Sequence, residues 1–222
     1  MNCKYLSHAV ALWVLIVFFI PGCAKPPTAV PVKGYLYTDE KELPGFGAYG
    51  YLLFPAQPSP GDAPRYEHVC EAFQRDLPTE AWGKAPEERT SQMATFWPLN
   101  VPRATAAKSL DCQSLVKNYD YRRASAIATA IRKQSARGPI LTAWAKPFAE
   151  TDSSPALVLD LSDFADEDLD RAFAIWRERI TTDPAVWRNG FNLVLCREAF
   201  RNFFQKYGET VLAIVQPAKS GR

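Results

Sequence analysis

The chain has 222 residues, of which 47% are hydrophobic and 23% charged, and a formal net charge of +2. These ordinary globular proportions exclude a wholly disordered chain, and near-neutrality removes the electrostatic reason for binding nucleic acid over a broad surface. A domain of this length buries enough apolar surface to fold without help from a metal or a disulfide.

In chain order, the first feature is Ala9 to Ile20, an unbroken run of 12 apolar residues behind Lys4. Twelve helical residues reach about 18 Å, short of the roughly 30 Å hydrocarbon core of a bilayer. That length fits the apolar region of a secretory signal. The run closes on Ile20-Pro21-Gly22-Cys23, with an aliphatic residue three places before the cysteine and a small one directly before it. This ending resembles the lipobox of bacterial lipoproteins, a resemblance that covers residues 1–23 only. It implies that residues 1–22 are a signal peptide and are removed, that the Cys23 thiol receives a diacylglyceryl group, and that the domain is held outside the cytoplasm by lipid. Ala24 resembles the residue found in lipoproteins sent on to the outer membrane, which would face the domain toward the periplasm in a two-membrane cell. Removing 22 of 222 residues leaves 200, and the loss of Lys4 leaves 25 basic residues against 24 acidic ones.

Residues 23–33 then read as the lipidated cysteine and a tether. Ala24 to Lys33 carries three prolines, which oppose helix and favour an extended spacer of roughly 30 Å. Residues 34–217 form the expected globular domain. Gly34 to Thr38 and Ala48 to Phe54 are aromatic-rich, are bounded by Gly and Pro, and predict strands. Pro55 to Pro64, with four prolines, predicts a loop. The spacing of Val69, Phe73 and Leu77 predicts a helix over 65–77. From Pro78 to Lys108 periodicity is poor apart from an extended piece at Ala94 to Pro98. Ser109 is the expected cap of the next helix, and Asp120 to Gln134 the helix after that, with Tyr121, Ala124, Ile127, Ala128 and Ile131 on one stripe. Gly138-Pro139 is the expected stop, and Arg132, Lys133 and Arg137 are expected to complement the dipole of that helix end.

Ile140 to Ala145 and Ala156 to Leu161 predict two strands. Ser162 and Asp163 are placed to cap the following helix, whose Leu169, Phe173, Trp176 and Ile180 form a strong apolar stripe. A last helix from Val186 or Trp187 to Tyr207, with Phe191, Val194, Leu195, Phe203 and Phe204 inward, should end at Gly208. Glu209 to Gln216 predicts a final strand, and residues 218–222 a loose tail. The alternation predicts one α/β or α+β domain, a mixed sheet of about five strands packed with four to five helices.

No local signature of catalysis stands out. Removal of His8 with the signal leaves His68 as the sole imidazole, which argues against a histidine-based metal site, and there is no G-x-S-x-G elbow. GFGAYG at Gly45 to Gly50 lacks the spacing of a dinucleotide loop and leads into a strand. No motif requires a cofactor. Of the remaining thiols, Cys196 sits in an apolar helix as a small hydrophobe, so Cys70 and Cys112 are the favoured disulfide pair in an oxidising compartment. Asp160, Ser162, Asp163 and Asp166 follow a strand end, where open sheets place ligand crevices, although acidic residues and Ser at a helix start also cap it and serve its dipole. Tyr119, Tyr121 and Arg122 interleave aromatic and cationic groups that could face a sugar or phosphate.

The expected function is a cell-envelope lipoprotein acting as a non-enzymatic binding or assembly module. Its expected partners are the membrane, through the lipid anchor, and an envelope protein or glycan. The alternative is a lipid-anchored hydrolase of envelope polysaccharide or peptidoglycan using a carboxylate pair, which leaves no local motif.

Overall fold

A computed structural model describes residues 29, 31–78, 85–106, 111–150 and 154–216. The signal segment, Cys23, Ser109 and the tail at 218–222 lie outside the described residues. Six strands build one mixed sheet: β1 (Val32–Leu36), β2 (Ala48–Leu53), β3 (Met93–Pro98), β4 (Ile140–Trp144), β5 (Ala156–Asp160) and β6 (Leu212–Val215). Their spatial order is β1-β3-β2-β4-β5-β6. β3 runs parallel to both β1 and β2, whereas β4, β5 and β6 each join antiparallel to the preceding neighbour. β1, β2, β3 and β5 therefore point the same way.

The central strands β2, β3 and β4 are buried at every position, so both faces are covered. This is why their sequences read as continuous apolar runs rather than alternating ones. The registers Tyr49↔Trp144 and Tyr51↔Phe96 put these four aromatics on one face, where Phe46 and Phe148 seal them with edge contacts. On the opposite face Trp97 meets Phe73 of α1 (Ala63–Asp76), and Thr95 Oγ1 accepts a 3.1 Å bond from Trp176 Nε1. Gly47 is required by close packing: a Cβ there would lie 2.4 Å from a Trp187 ring carbon and 2.5 Å from the Thr90 carbonyl oxygen.

The remaining helices are α2 (Pro86–Arg89), α3 (Cys112–Lys117), α4 (Tyr121–Ala130), α5 (Asp166–Ile175) and α6 (Leu193–Tyr207). Their ends show why the chain folds locally as it does. Asp111 accepts from Ser114 N at 2.7 Å, Asp120 from Arg123 N at 2.9 Å, and Asn192 from Val194 N and Leu195 N. Each side chain satisfies a first-turn donor that the helix itself cannot. Gly208 closes α6 with a φ of 79°, a conformation that disfavours residues bearing a Cβ.

Several boundaries differ from the sequence expectations. β1 starts at Val32, and Ala29 is buried with its N–H donating to Thr182 O at 2.9 Å. The folded chain thus begins inside the segment expected to be spacer. Asp111 caps α3. α4 ends at Ala130, and α5 begins at Asp166 with Ala165 at its cap and no side-chain bond there. A π-helical turn, Trp176–Thr181, continues α5. There, Thr181 Oγ1 and Thr182 Oγ1 bond to the carbonyls four residues back, competing with the backbone ladder. α6 starts at Leu193, six or seven residues beyond the expected start at Val186 or Trp187. It buries Cys196, Phe200 and Phe203 and leaves Val194 74% exposed.

Candidate functional site

β2 and β5 end on the same side of the sheet, and a cleft of about 360 Å³ opens there, lined among others by Gln57, Asp62, Arg65, Tyr66, Arg137 and Asp163. Its walls follow from local sequence. The proline-rich segment after β2 cannot continue the ladder. It turns at Ser59–Asp62, where the Asp62 carboxylate accepts from Ser59 Oγ at 2.5 Å and Ser59 N at 3.2 Å. Pro64 then lies in the first turn of α1, a position that needs no N–H. Opposite, Gly138 has a φ of 75°, and a Cβ on it would approach Pro55 Cδ to 3.1 Å. The segment before β4 is thereby laid against the end of β2.

Arg65 joins the two sides. Its Nη1 donates to Phe164 O at 2.7 Å and its Nη2 to Leu161 O at 2.9 Å, with longer bonds to Asp166 Oδ1 and Ser162 O. Its Nε is buried and meets no acceptor among the described residues. Arg137 is exposed, and its guanidinium makes no hydrogen bond or ion pair among the described residues. The Ser59 bonds hold the Asp62 carboxyl below its ordinary range, with Arg137 and Arg65 acting in the same direction. Burial, reinforced by Asp62, pushes the Tyr66 hydroxyl up to about 12, so it remains a neutral donor, bonded to Ala56 O at 3.0 Å.

The residues singled out from sequence are dispersed. Asp163 is exposed and lines the cleft. Asp160 instead holds the loop: Oδ1 accepts from Ser162 Oγ at 2.6 Å and Ser162 N at 3.1 Å, and Oδ2 from Lys133 Nζ at 2.9 Å. Ser162 does not cap α5, because its hydroxyl also accepts from Gly138 N at 2.9 Å. Tyr119 is fully buried, donating to Leu52 O at 2.8 Å and accepting from Phe54 N at 3.0 Å, so it faces no ligand. Tyr121 lines a neighbouring hollow with Gln57 and Lys117, and Arg122 is exposed on α4. Arg137 lies beyond the end of α4 and faces the cleft instead of complementing that helix.

Cys70 and Cys112 are joined, Sγ to Sγ at 2.16 Å, tying α1 to α3, while Cys196 is buried as a free thiol. His68 bridges α1 and α5, its Nε2 lying 3.2 Å from both Asp170 Oδ1 and the Asp166 carbonyl. Among the described residues no three His, Cys, Asp or Glu side chains gather as metal ligands, and no helix is long and apolar enough to cross a membrane. The sequence groups Ser162 with Asp163 at the strand-end crevice, and both line the cleft, but it gives no direct sign of Arg65 and Tyr66 there; the available signal was the proline-rich break followed at once by a cationic helix start. No family model matches the chain, no curated protein matches it, and no solved structure matches it.

Proposed function

We propose that this chain is a cell-envelope lipoprotein whose domain serves as a non-enzymatic binding or assembly module, with an envelope protein or glycan docking at the cleft. The observation that carries this reading is the cleft's chemistry. It offers guanidinium, hydroxyl and amide groups for holding a polar ligand, while its Asp62 carboxyl is held ionised. The signal-like segment ending at Cys23 supports the address, and the Cys70–Cys112 disulfide is in keeping with an oxidising compartment.

Two measurements test it. Cys23→Ser should move the domain from the membrane to the soluble fraction, and mass spectrometry of the native protein should find acyl chains on Cys23; membrane retention of the variant would contradict the anchor. Crosslinking in the native envelope should trap a partner with the wild-type protein and lose it with Ala56→Trp, which crowds the cleft from an exposed position. Undiminished trapping by that variant would remove the cleft from the function.

A further inference from the structure

Resting on the reading of the cleft as the docking place, we infer that it receives an anionic group of the ligand, a carboxylate or a phosphate. Two guanidinium groups and the amino end of α1 border it. The Arg137 guanidinium makes no hydrogen bond or ion pair among the described residues and stands at the cleft wall. Arg65 lines the cleft and is fixed by its two Nη groups on the β5–α5 loop, so its charge is held in place there. The third group is the positive end of α1, a helix of 14 residues whose N-cap, Asp62, makes no side-chain capping bond.

The Asp62 carboxylate at this end bonds to no N–H of the helix, although the charges of Arg137 and Arg65 act on it. Asp62 is occupied by Ser59 Oγ and Ser59 N, which leaves the first turn of α1 without its usual acceptor. Asp163, the other acid of the cleft, is exposed at the rim. A planar carboxylate or a phosphate satisfies such an arrangement, because a guanidinium presents paired N–H groups and a helix N-terminus adds both donors and a partial positive charge. Tyr66 and Phe164 supply the less polar wall against which the rest of the ligand lies.

The test is a nuclear magnetic resonance titration of the folded domain with three probes: inorganic phosphate, N-acetyl-alanyl-alanine, and its C-terminal amide. Saturable shifts confined to the cleft are expected with phosphate, with the free peptide acid, or with both. The probe that saturates identifies the group, and the amide should produce none. Arg137→Gln should weaken the binding by about tenfold or more, in line with losing a hydrogen bond to a charged group, while its melting temperature stays unchanged because the side chain is exposed. Raised salt should weaken the wild-type interaction. Absence of saturation with both anions, equal binding of the amide, or equal binding by Arg137→Gln would overturn the inference. If partner trapping in the envelope is lost in Ala56→Trp but kept in Arg137→Gln, the cleft remains the docking place and only the anionic assignment falls; if it survives both, the docking place itself is wrong.

Discussion

At the scale of single residues, Tyr119 does the work of a missing ladder bond. β2 ends where Phe54 leaves the sheet, and the Tyr119 hydroxyl takes both the Phe54 N–H and the Leu52 carbonyl while its ring meets Phe54 and Trp97 edge-on. Burial raises its hydroxyl pKa well above the ordinary value, so the group stays a donor at any physiological pH. Tyr119→Phe keeps the ring and orphans both backbone groups. It should lower stability by about 1–3 kcal/mol, the range for leaving a buried polar group unpaired, measured by urea denaturation. The role was invisible in sequence, since the bonded partners are 65 and 67 positions away.

Burial of Asp160 acts to raise its pKa, but the bonds from Ser162 and Lys133 outweigh it, and the net effect is a value below the ordinary 3.8. A carboxylate with its pKa depressed by folding stabilises the protein fully above the unfolded pKa, and that contribution disappears as pH falls through the folded one. Lys133→Met removes a principal cause of the depression. The variant should therefore lose less of its remaining stability than wild type between pH 5 and about pH 3, as measured by denaturation at each pH. Burial pushes Cys196 up to about 12, so in a thiol-labelling experiment native protein at pH 8 should resist alkylation there until unfolded.

At the scale of elements, α1 is held at its middle and at its start by bonds distant in sequence. The disulfide to Cys112 closes a loop across a separation of 42 residues. In the chain-entropy model such closure is worth about 4 kcal/mol, so Cys70→Ala with Cys112→Ala should lower the denaturation midpoint by that equivalent. Arg65 ties the start of the helix to the chain following β5. Strands were legible because glycine and proline bracket them and because buried sheets spell continuous apolar runs. β2, β4 and β5 fall within a residue of their predicted bounds, and Leu169, Phe173, Trp176 and Ile180 are all fully buried. Helix caps were less legible. Ser162 has the right chemistry for a cap, but Gly138 N and Asp160 compete for its hydroxyl, and only tertiary structure decides that contest. Val194 was placed inward on the assumption of a helix starting near Trp187. The later start, at Leu193, leaves it off the stripe formed by Cys196, Phe200 and Phe203. The cleft was legible on one side only: the strand end pointed to Ser162 and Asp163, but Arg65 and Ser162 stand 97 residues apart, and no local pattern announces their meeting.

At the scale of the whole molecule, the parallel relation of β1 to β2 and the shared direction of β5 give the domain two distinct poles. The cleft lies at the carboxyl ends of β2 and β5. Ala29 and the start of β1 lie at the other pole, together with the end of β6. A five-residue strand is about 17 Å long, and this sets the minimum separation of the poles. On the proposed lipid anchor, a fluorophore on Arg179→Cys, three residues from the Thr182 carbonyl that receives Ala29, should be quenched by brominated lipid more strongly than one on Gln57→Cys at the cleft. Equal quenching would mean the domain lies on its side.

The clasp between Ala29 and Thr182 has a mechanical consequence. Only residues 24–28 separate Cys23 from a point fixed to the body of the domain, and so short a leash extends at most about 20 Å. An acyl group on that cysteine would moor the molecule almost directly beneath its own base, with little radius in which to wander. Whatever enters at the summit would have to come down to a fixed height above the bilayer, so the reach needed to meet a distant partner must be supplied by the partner.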